Sequence, residues 1–270
     1  MTTDATSGGG ATPGDGSGTG SAGGSGSREG PIIAVVVVVV LVLAGGGLFW
    51  FLRDDAPPPV SLETATKGVE GGNGAGSSGS ASSGAAVGDV SGTWTVDAES
   101  GEVDYESATG SFAGFRVEEE LTIGSATAVG RTRDVSGEIV IEGNTLTSAD
   151  ITADLSTLTT NDSRRDGKAR DALDTDAFPD ATFVLTEAVD FGDPAAGPVS
   201  VQATGDLTIK GVTQSVTIPL EAQVVDGTIV VVGSVPITFA DYGVEPPKAP
   251  IVLSVAPEGT LELQLLFTQS

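Results

Sequence analysis

Along the second half of the chain, apolar and polar residues alternate with a period of two. Leu207 and Ile209 alternate with Asp206, Thr208 and Lys210, and Val216, Ile218 and Leu220 alternate with Ser215, Thr217 and Pro219. Such patterning gives a strand one buried face and one wet face. Gly211 falls between the two runs, where a turn favours a residue free to take positive φ. Gly211-Val212-Thr213-Gln214 then reads as a four-residue hairpin connection. Similar runs rich in Val, Ile and Thr begin at Thr93-Trp94-Thr95-Val96. They continue through 115–117 towards 121–123, then 138–142, which turns at Gly143-Asn144 into 145–147. Runs 150–155, 182–186, 199–201, 228–232, 235–239 and 261–265 follow. Eight or more short strands separated by turn residues fit one all-β domain, a sandwich or a closed antiparallel barrel. One short segment, 163–173, has helical character.

The first part of the chain has a different pattern. Residues 1–30 are mostly Gly, Ser, Thr and Ala, too poor in apolar surface to offset the entropy of ordering, so a disordered tail is expected. Residues 31–52 carry no charge and end in Leu48-Phe49-Trp50-Phe51-Leu52. As a helix they rise about 33 Å, enough to cross a hydrocarbon core of about 30 Å. A cleaved signal peptide is the competing reading. The run exceeds the usual apolar region of one, no small-x-small site follows closely, and its aromatic end suits a membrane interface. A retained transmembrane helix is therefore expected. Arg28 and Arg53 flank it evenly, so charge does not orient it. The N-terminus is placed in the cytoplasm and the long C-terminal part outside, because of the nature of the C-terminal domain. Residues 53–89 read as a linker, stiff at Pro57-Pro58-Pro59 and flexible over the Gly, Ser and Ala of 71–88. Residues 90–270 are the β domain.

Composition removes several chemistries. The 270 residues include no Cys and no His, which excludes disulfides, thiolate metal sites and imidazole general bases. The formal net charge is −25, and residues 90–270 hold nine Lys and Arg against 29 Asp and Glu. Such a surface repels nucleic acid and anionic headgroups.

The remaining candidates are polar clusters. Arg164, Arg165 and Arg170 lie among Asp162, Asp166 and Asp171. They read as an anion site or, with the acids alongside, as a short helix capped by Asp162 or Ser163 and tied down by Arg–Asp pairs; the second reading is favoured. Asn161-Asp162-Ser163 matches a glycosylation triplet by chance. Asp171, Asp174 and Asp176 lack the Gly and terminal Glu of a calcium loop, and no metal or cofactor is expected. Glu118-Glu119-Glu120 reads as a solvated strand edge. No pair of acids stands out for carboxylate catalysis. Asp241-Tyr242-Gly243 reads as a structural corner.

Taken together, these segments resemble a known family. Gly205-Asp206-Leu207-Thr208-Ile209-Lys210-Gly211-Val212-Thr213 is similar to the G-x-L-T-I-x-G-V-T signature of the YceI-like domain family. In order, Trp94-Thr95-Val96-Asp97 resembles its first strand, Thr160-Asn161 with Arg165-Asp166 its T-x-N-x-x-R-D segment, Phe178-Pro179 with Ala181-Thr182-Phe183 its Y-P-x-x-x-F strand, and Asp241-Tyr242-Gly243 its D-F-G corner. One extra residue separates Asn161 from Arg165, and Phe239 stands where an Arg often precedes the corner. The family's frequent helical-segment His is missing. The resemblance spans about residues 91–270 and implies a lipocalin-like antiparallel closed barrel that holds a long apolar molecule, typically a polyisoprenoid, in members that are often exported.

The expected function is thus a membrane-anchored, extracytoplasmic barrel that binds a polyisoprenoid or related lipid and is not an enzyme. The expected lumen lining is Phe115, Ile139, Ile151, Leu155, Phe183, Leu185, Leu207, Ile209, Val216, Ile218, Ile237 and Phe239. Its partners are a lipid, the membrane through residues 31–52 and, as an open possibility, a second copy in a homodimer. The alternatives are a structural or adhesive surface domain with a filled core and, behind it, a carboxylate enzyme acting on a lipid or quinone.

Overall fold

The computed structural model describes residues 56–72, 89–105, 108–122, 124–194, 197–247 and 252–270. The expected tail, the apolar stretch 31–52 and the linker residues 73–88 lie outside them. The chain divides into Met1–Phe51 and Leu52–Ser270, and all described residues belong to the second unit. No helix among the described residues is long and apolar enough to cross a membrane.

The alternating runs form strands β1 (Gly92–Val96), β2 (Phe112–Leu121), β3 (Gly124–Thr132), β4 (Val135–Glu142), β5 (Thr145–Asp154), β6 (Thr159–Thr160), β7 (Asp180–Leu185), β8 (Val189–Asp190), β9 (Val199–Ile209), β10 (Val212–Val225), β11 (Thr228–Thr238), β12 (Val252–Val255) and β13 (Glu258–Gln269). Eight of them close in the antiparallel order β1-β4-β5-β7-β9-β10-β11-β13. The ring shuts where β13 returns to β1, with Trp94 opposite Gln269 and Val96 opposite Phe267. Along the same edge of β13, residues Thr260 to Gln264 pair with β2, which carries β3 and then β6. Closure leaves no exposed ladder in the ring and fixes an inside and an outside for every strand. The lipocalin-like barrel implied by the sequence is present.

The hairpin from β9 to β10 is tighter than expected. Ile209 pairs directly with Val212, so the connection is Lys210-Gly211 and not four residues. Both adopt positive φ, 51° and 73°, as a two-residue turn that follows strand twist requires. Lys210 tolerates this because its ammonium donates to the carbonyls of Ala172 (3.2 Å) and Gly243 (3.0 Å). Asp226-Gly227 turns β10 into β11 in the same way, at φ 49° and 81°.

The stretch read as a linker contains a helix, α1 (Leu62–Gly72). Ser61 Oγ accepts from Thr64 N–H, and Glu63 pairs with Lys67 four residues on at 2.6 Å. Leu62, Ala65 and Val69 fall on one face and pack on Val230 and Val232 of β11. These two valines alternate with Ile229 and Val231 of the interior, so α1 lies on the outside of the barrel wall. Gly68 allows close approach, because a Cβ there would stand 2.7 Å from Thr109. The i, i+3, i+7 stripe was present in the sequence but diluted by Gly and Thr around it.

The second helix, α2 (Asp166–Leu173), begins three residues later than expected. Neither Asp162 nor Ser163 caps it, and its N-cap position is Arg165, without a side-chain cap. The carboxylate of Asp162 is instead occupied by Arg164, whose Nη2 lies 2.6 Å away.

Candidate functional site: the barrel interior

Inward positions follow from the registers. At the end where β10 turns into β11, Trp94, Ile139, Ile141, Ala149, Ile229, Leu265 and Phe267 form a tightly buried cluster. Trp94 Nε1–H donates to the Val90 carbonyl at 2.8 Å, so the indole is buried without an orphan donor. This cluster plugs the barrel.

A second cluster forms at the opposite end, around Leu207, Ile209 and Tyr242. Leu173 of α2 and Phe183, Val216, Ile237 and Leu261 of the wall pack against it. Tyr242 comes from a 3-10 turn, Phe239–Tyr242, that follows β11.

Between the two clusters the inward side chains are apolar but incompletely covered. Phe115, Ile151, Phe183, Leu185, Val216, Leu261 and Leu263 all remain half-buried. Fully packed protein would bury them as it buries Phe267 at 2 % exposure. These inner-face side chains are therefore less completely covered than those of the two clusters they pack against. Phenyl rings pack closely over glycines on neighbouring strands of this face. A Cβ at Gly205 or at Gly259 would come within 2.5 Å of Cζ of Phe183 or Phe239 respectively. One at Gly130 would overlap the ring of Phe115. Each ring occupies the side-chain space of a glycine on the wall.

The twelve residues expected to line the interior divide by environment. Phe115, Ile151, Phe183, Leu185, Val216, Ile237 and Phe239 are half-buried on the inner face. Ile139 belongs to the plug. Leu207 and Ile209 are buried in the second cluster, and Ile218 is 2 % exposed. Leu155 is buried in a 3-10 turn, Leu155–Thr157, at the end of β5. Leu261, Leu263 and Val231 belong to the same inner face and were not singled out, although Leu261-Glu262-Leu263-Gln264-Leu265 carried the period-two signal. Leu173 and Tyr242 sit outside strands, where that signal does not exist.

The acidic triplet on β2 is not a uniformly solvated edge. Glu118 and Glu120 are exposed, but Glu119 is 7 % exposed and pairs with Arg165 Nη2 at 2.9 Å. Alternation puts the middle residue on the inner side, which a run of three like charges conceals. The other arginines are also engaged. Arg164 holds Asp162, whose carboxyl this hydrogen bond lowers below the usual range. Arg170 Nη1 donates to the Leu158 carbonyl at 2.7 Å. Thr160 N–H donates to Asp166 Oδ1 at 2.8 Å, and the Asn161 amide bridges Val129 N–H and the Thr127 carbonyl on β3. The segment is a staple between α2 and β3, not an anion pocket. Among the described residues, no group of three or more His, Cys, Asp or Glu is placed to hold a metal ion.

The outer face of β13, β2 and β3 carries charge under cover. Glu262, 2 % exposed, accepts from Arg116 Nε at 3.1 Å, and Arg116 Nη2 donates to the Pro57 carbonyl at 2.7 Å. The Arg131 guanidinium lies 4.4 Å from the centre of the Phe112 ring. Gln264 Nε2 donates to the carbonyls of Ala108 and Gly110. The N-terminal strap and the loop before β2 thus cover this wall.

Among solved structures, the chain is similar to a polyisoprenoid binding domain from Saccharophagus degradans implicated in plant cell wall breakdown, at 21% identity over 59% of this chain and 94% of that one, with a TM-score of 0.46. It is also similar to Burkholderia cenocepacia BcnA, at 23% identity over 57% and 95%, TM-score 0.45, and to the Campylobacter jejuni YCEI protein, at 21% over 51% and 82%, TM-score 0.42. None of the curated proteins matches it. The description of the YceI-like domain matches residues 94–267, a span that runs from the plug tryptophan through the whole ring to Phe267, and the chain belongs to the YceI-like domain family.

Proposed function

We propose that the barrel binds a long apolar molecule, a polyisoprenoid or related lipid, in its interior and carries or stores it without covalent chemistry. The observation that supports this most directly is the belt of inward apolar side chains that protein atoms cover only in part, from Phe115 through Phe183 to Leu263. Water in contact with such a belt is released by an apolar chain, at about 25 cal/mol per Å² buried. The half-buried belt counts against a purely structural domain with a filled core. An enzyme is disfavoured because the buried carboxylate on the inner face of β2, Glu119, is paired with Arg165, which also lies 3.7 Å from Asp162 and so neutralises both acids.

The reading includes the apolar stretch 31–52 as a membrane anchor with the barrel outside the cytoplasm, since a lipid carrier gains from standing beside its source. Cleavage of the barrel by protease added to spheroplasts, before the cytoplasmic membrane is breached, is expected, and protection until it is breached would overturn that placement. The binding itself is tested by native mass spectrometry of the Leu52–Ser270 unit, which contains the closed sheet and both interior clusters. A co-purifying lipid, or stoichiometric uptake of an apolar fluorescent probe displaced by an isoprenoid, is expected. Neither lipid nor probe binding would overturn the reading.

A further inference from the structure

Tyr242 is 3 % exposed, and its Oη is buried with no hydrogen-bond partner among the described residues. Its neighbours in the second cluster, Leu207 and Ile209, are apolar. A buried hydroxyl without a partner loses its water and gains nothing in return. The position is also informative. Tyr242 stands at the end of the barrel opposite the Trp94 and Phe267 plug, with the half-buried apolar belt between them. We propose that Tyr242 Oη donates the hydrogen bond that holds the polar end of the molecule in the lumen, and that this molecule is a neutral amphiphile, a long apolar chain ending in a carbonyl or hydroxyl oxygen. The proposal rests on the lumen being a lipid site.

Three features select a neutral end over a phosphate or carboxylate. Asp241 adjoins Tyr242, and the chain carries a formal −25. Among the described residues, Lys210 is engaged by the carbonyls of Ala172 and Gly243, and Arg165 by Glu119. An anionic end would therefore meet the like charge of Asp241 beside two cations that are already engaged. Burial, reinforced by Asp241, also pushes the Tyr242 phenol up from its ordinary value, so at neutral pH it is protonated and able to donate.

The experiment uses the delipidated Leu52–Ser270 unit and three probes that share one geranylgeranyl chain, ending in plain hydrocarbon, in a methyl ketone and in diphosphate. The ketone is expected to bind about three- to tenfold more tightly than the hydrocarbon, the range of one net hydrogen bond, and the diphosphate more weakly than the ketone. Tyr242→Phe is expected to bring the ketone to the affinity of the hydrocarbon and to leave the hydrocarbon unchanged. In the native protein, the infrared carbonyl stretch of bound ketone is expected below its value in hydrocarbon solvent, and this measurement decides even if the variant does not fold. An unshifted stretch, or equal ketone affinity in native and variant protein, overturns the role of Tyr242 while the hydrocarbon still binds and the lumen reading stands. Tightest binding of the diphosphate overturns the neutral end. Failure of the native protein to bind any probe overturns the lumen reading and this proposal with it.

Discussion

The phenyl ring of Phe115 occupies the space in which a side chain at Gly130 would sit, directly across from it in the β2–β3 register. The three atoms nearest to a Cβ at Gly130 all belong to this ring, so how far the ring can move sets most of the cost of adding one. Gly130→Ala is expected to lower stability by about 1–3 kcal/mol, as overpacking does, and to turn the ring towards the lumen and weaken probe binding. In a Phe115→Ala background the same Gly130→Ala change is expected to cost much less. A double-mutant cycle by urea unfolding checks this, and additive effects would show that the ring and the glycine are independent.

The pairs made by Arg165 and Arg164 differ in burial and so in worth. Glu119 is buried and Arg165 is a quarter exposed, whereas Arg164 is 78% exposed. Glu119→Gln is expected to destabilise by about 2 kcal/mol, less than the loss of a fully buried ion pair because Arg165 is a quarter exposed. Arg164→Ala is expected to leave the unfolding midpoint within error, as exposed pairs generally do. Equal effects of the two changes would contradict the assignment of Glu119 to the inside.

Tyr242 is expected to cost the empty protein stability. Removing its unpartnered hydroxyl in Tyr242→Phe is expected to stabilise the ligand-free unit by about 1 kcal/mol, raising Tm by about 2–4 °C for a unit of this size. Calorimetry with and without bound ketone checks it, since the ligand is expected to narrow the difference.

Alkaline pH provides a separate readout. Burial raises the phenol pKa of both Tyr105 and Tyr242 in the folded state. Between the unfolded value of about 10 and the raised folded value, the native state binds more protons than the unfolded one. Stability is therefore full below about pH 10 and falls as pH rises through that window. Urea midpoints followed from neutral to strongly alkaline pH are expected to drop, and less steeply in Tyr242→Phe.

Helix α1 is expected to act as part of the barrel unit. Ala65, 0% exposed, faces Val230 and Val232. Ala65→Glu would bury an unpaired charge or undock the helix. Cleavage after residue 72 by a dilute protease and increased binding of a hydrophobic dye are the expected results, with about 2–3 kcal/mol lost in unfolding.

Local order in the sequence determined the strands and their inner faces. Period two in Leu207-Thr208-Ile209, in Val216-Thr217-Ile218 and around Ile151 and Phe183 names the buried side without reference to any other strand, because a strand's pleat is a property of its own backbone. Features that depend on a partner far along the chain were decided by tertiary structure. The ring closes through Val96 and Phe267, Glu119 turns from a surface acid into the partner of Arg165 forty-six residues on, and α1 finds Val230 and Val232. None of these is written in spacing, since each needs the register of several strands at once. The two-residue turn at Lys210-Gly211, shorter than spacing alone suggests, has the same origin, because which residues pair across a hairpin is fixed by the opposing strand. The way the inner face is packed also belongs to the tertiary level. Alternation places Phe115, Phe183 and Phe239 on the inner face, but only their alignment with Gly130, Gly205 and Gly259 on adjacent strands lays the rings along the wall.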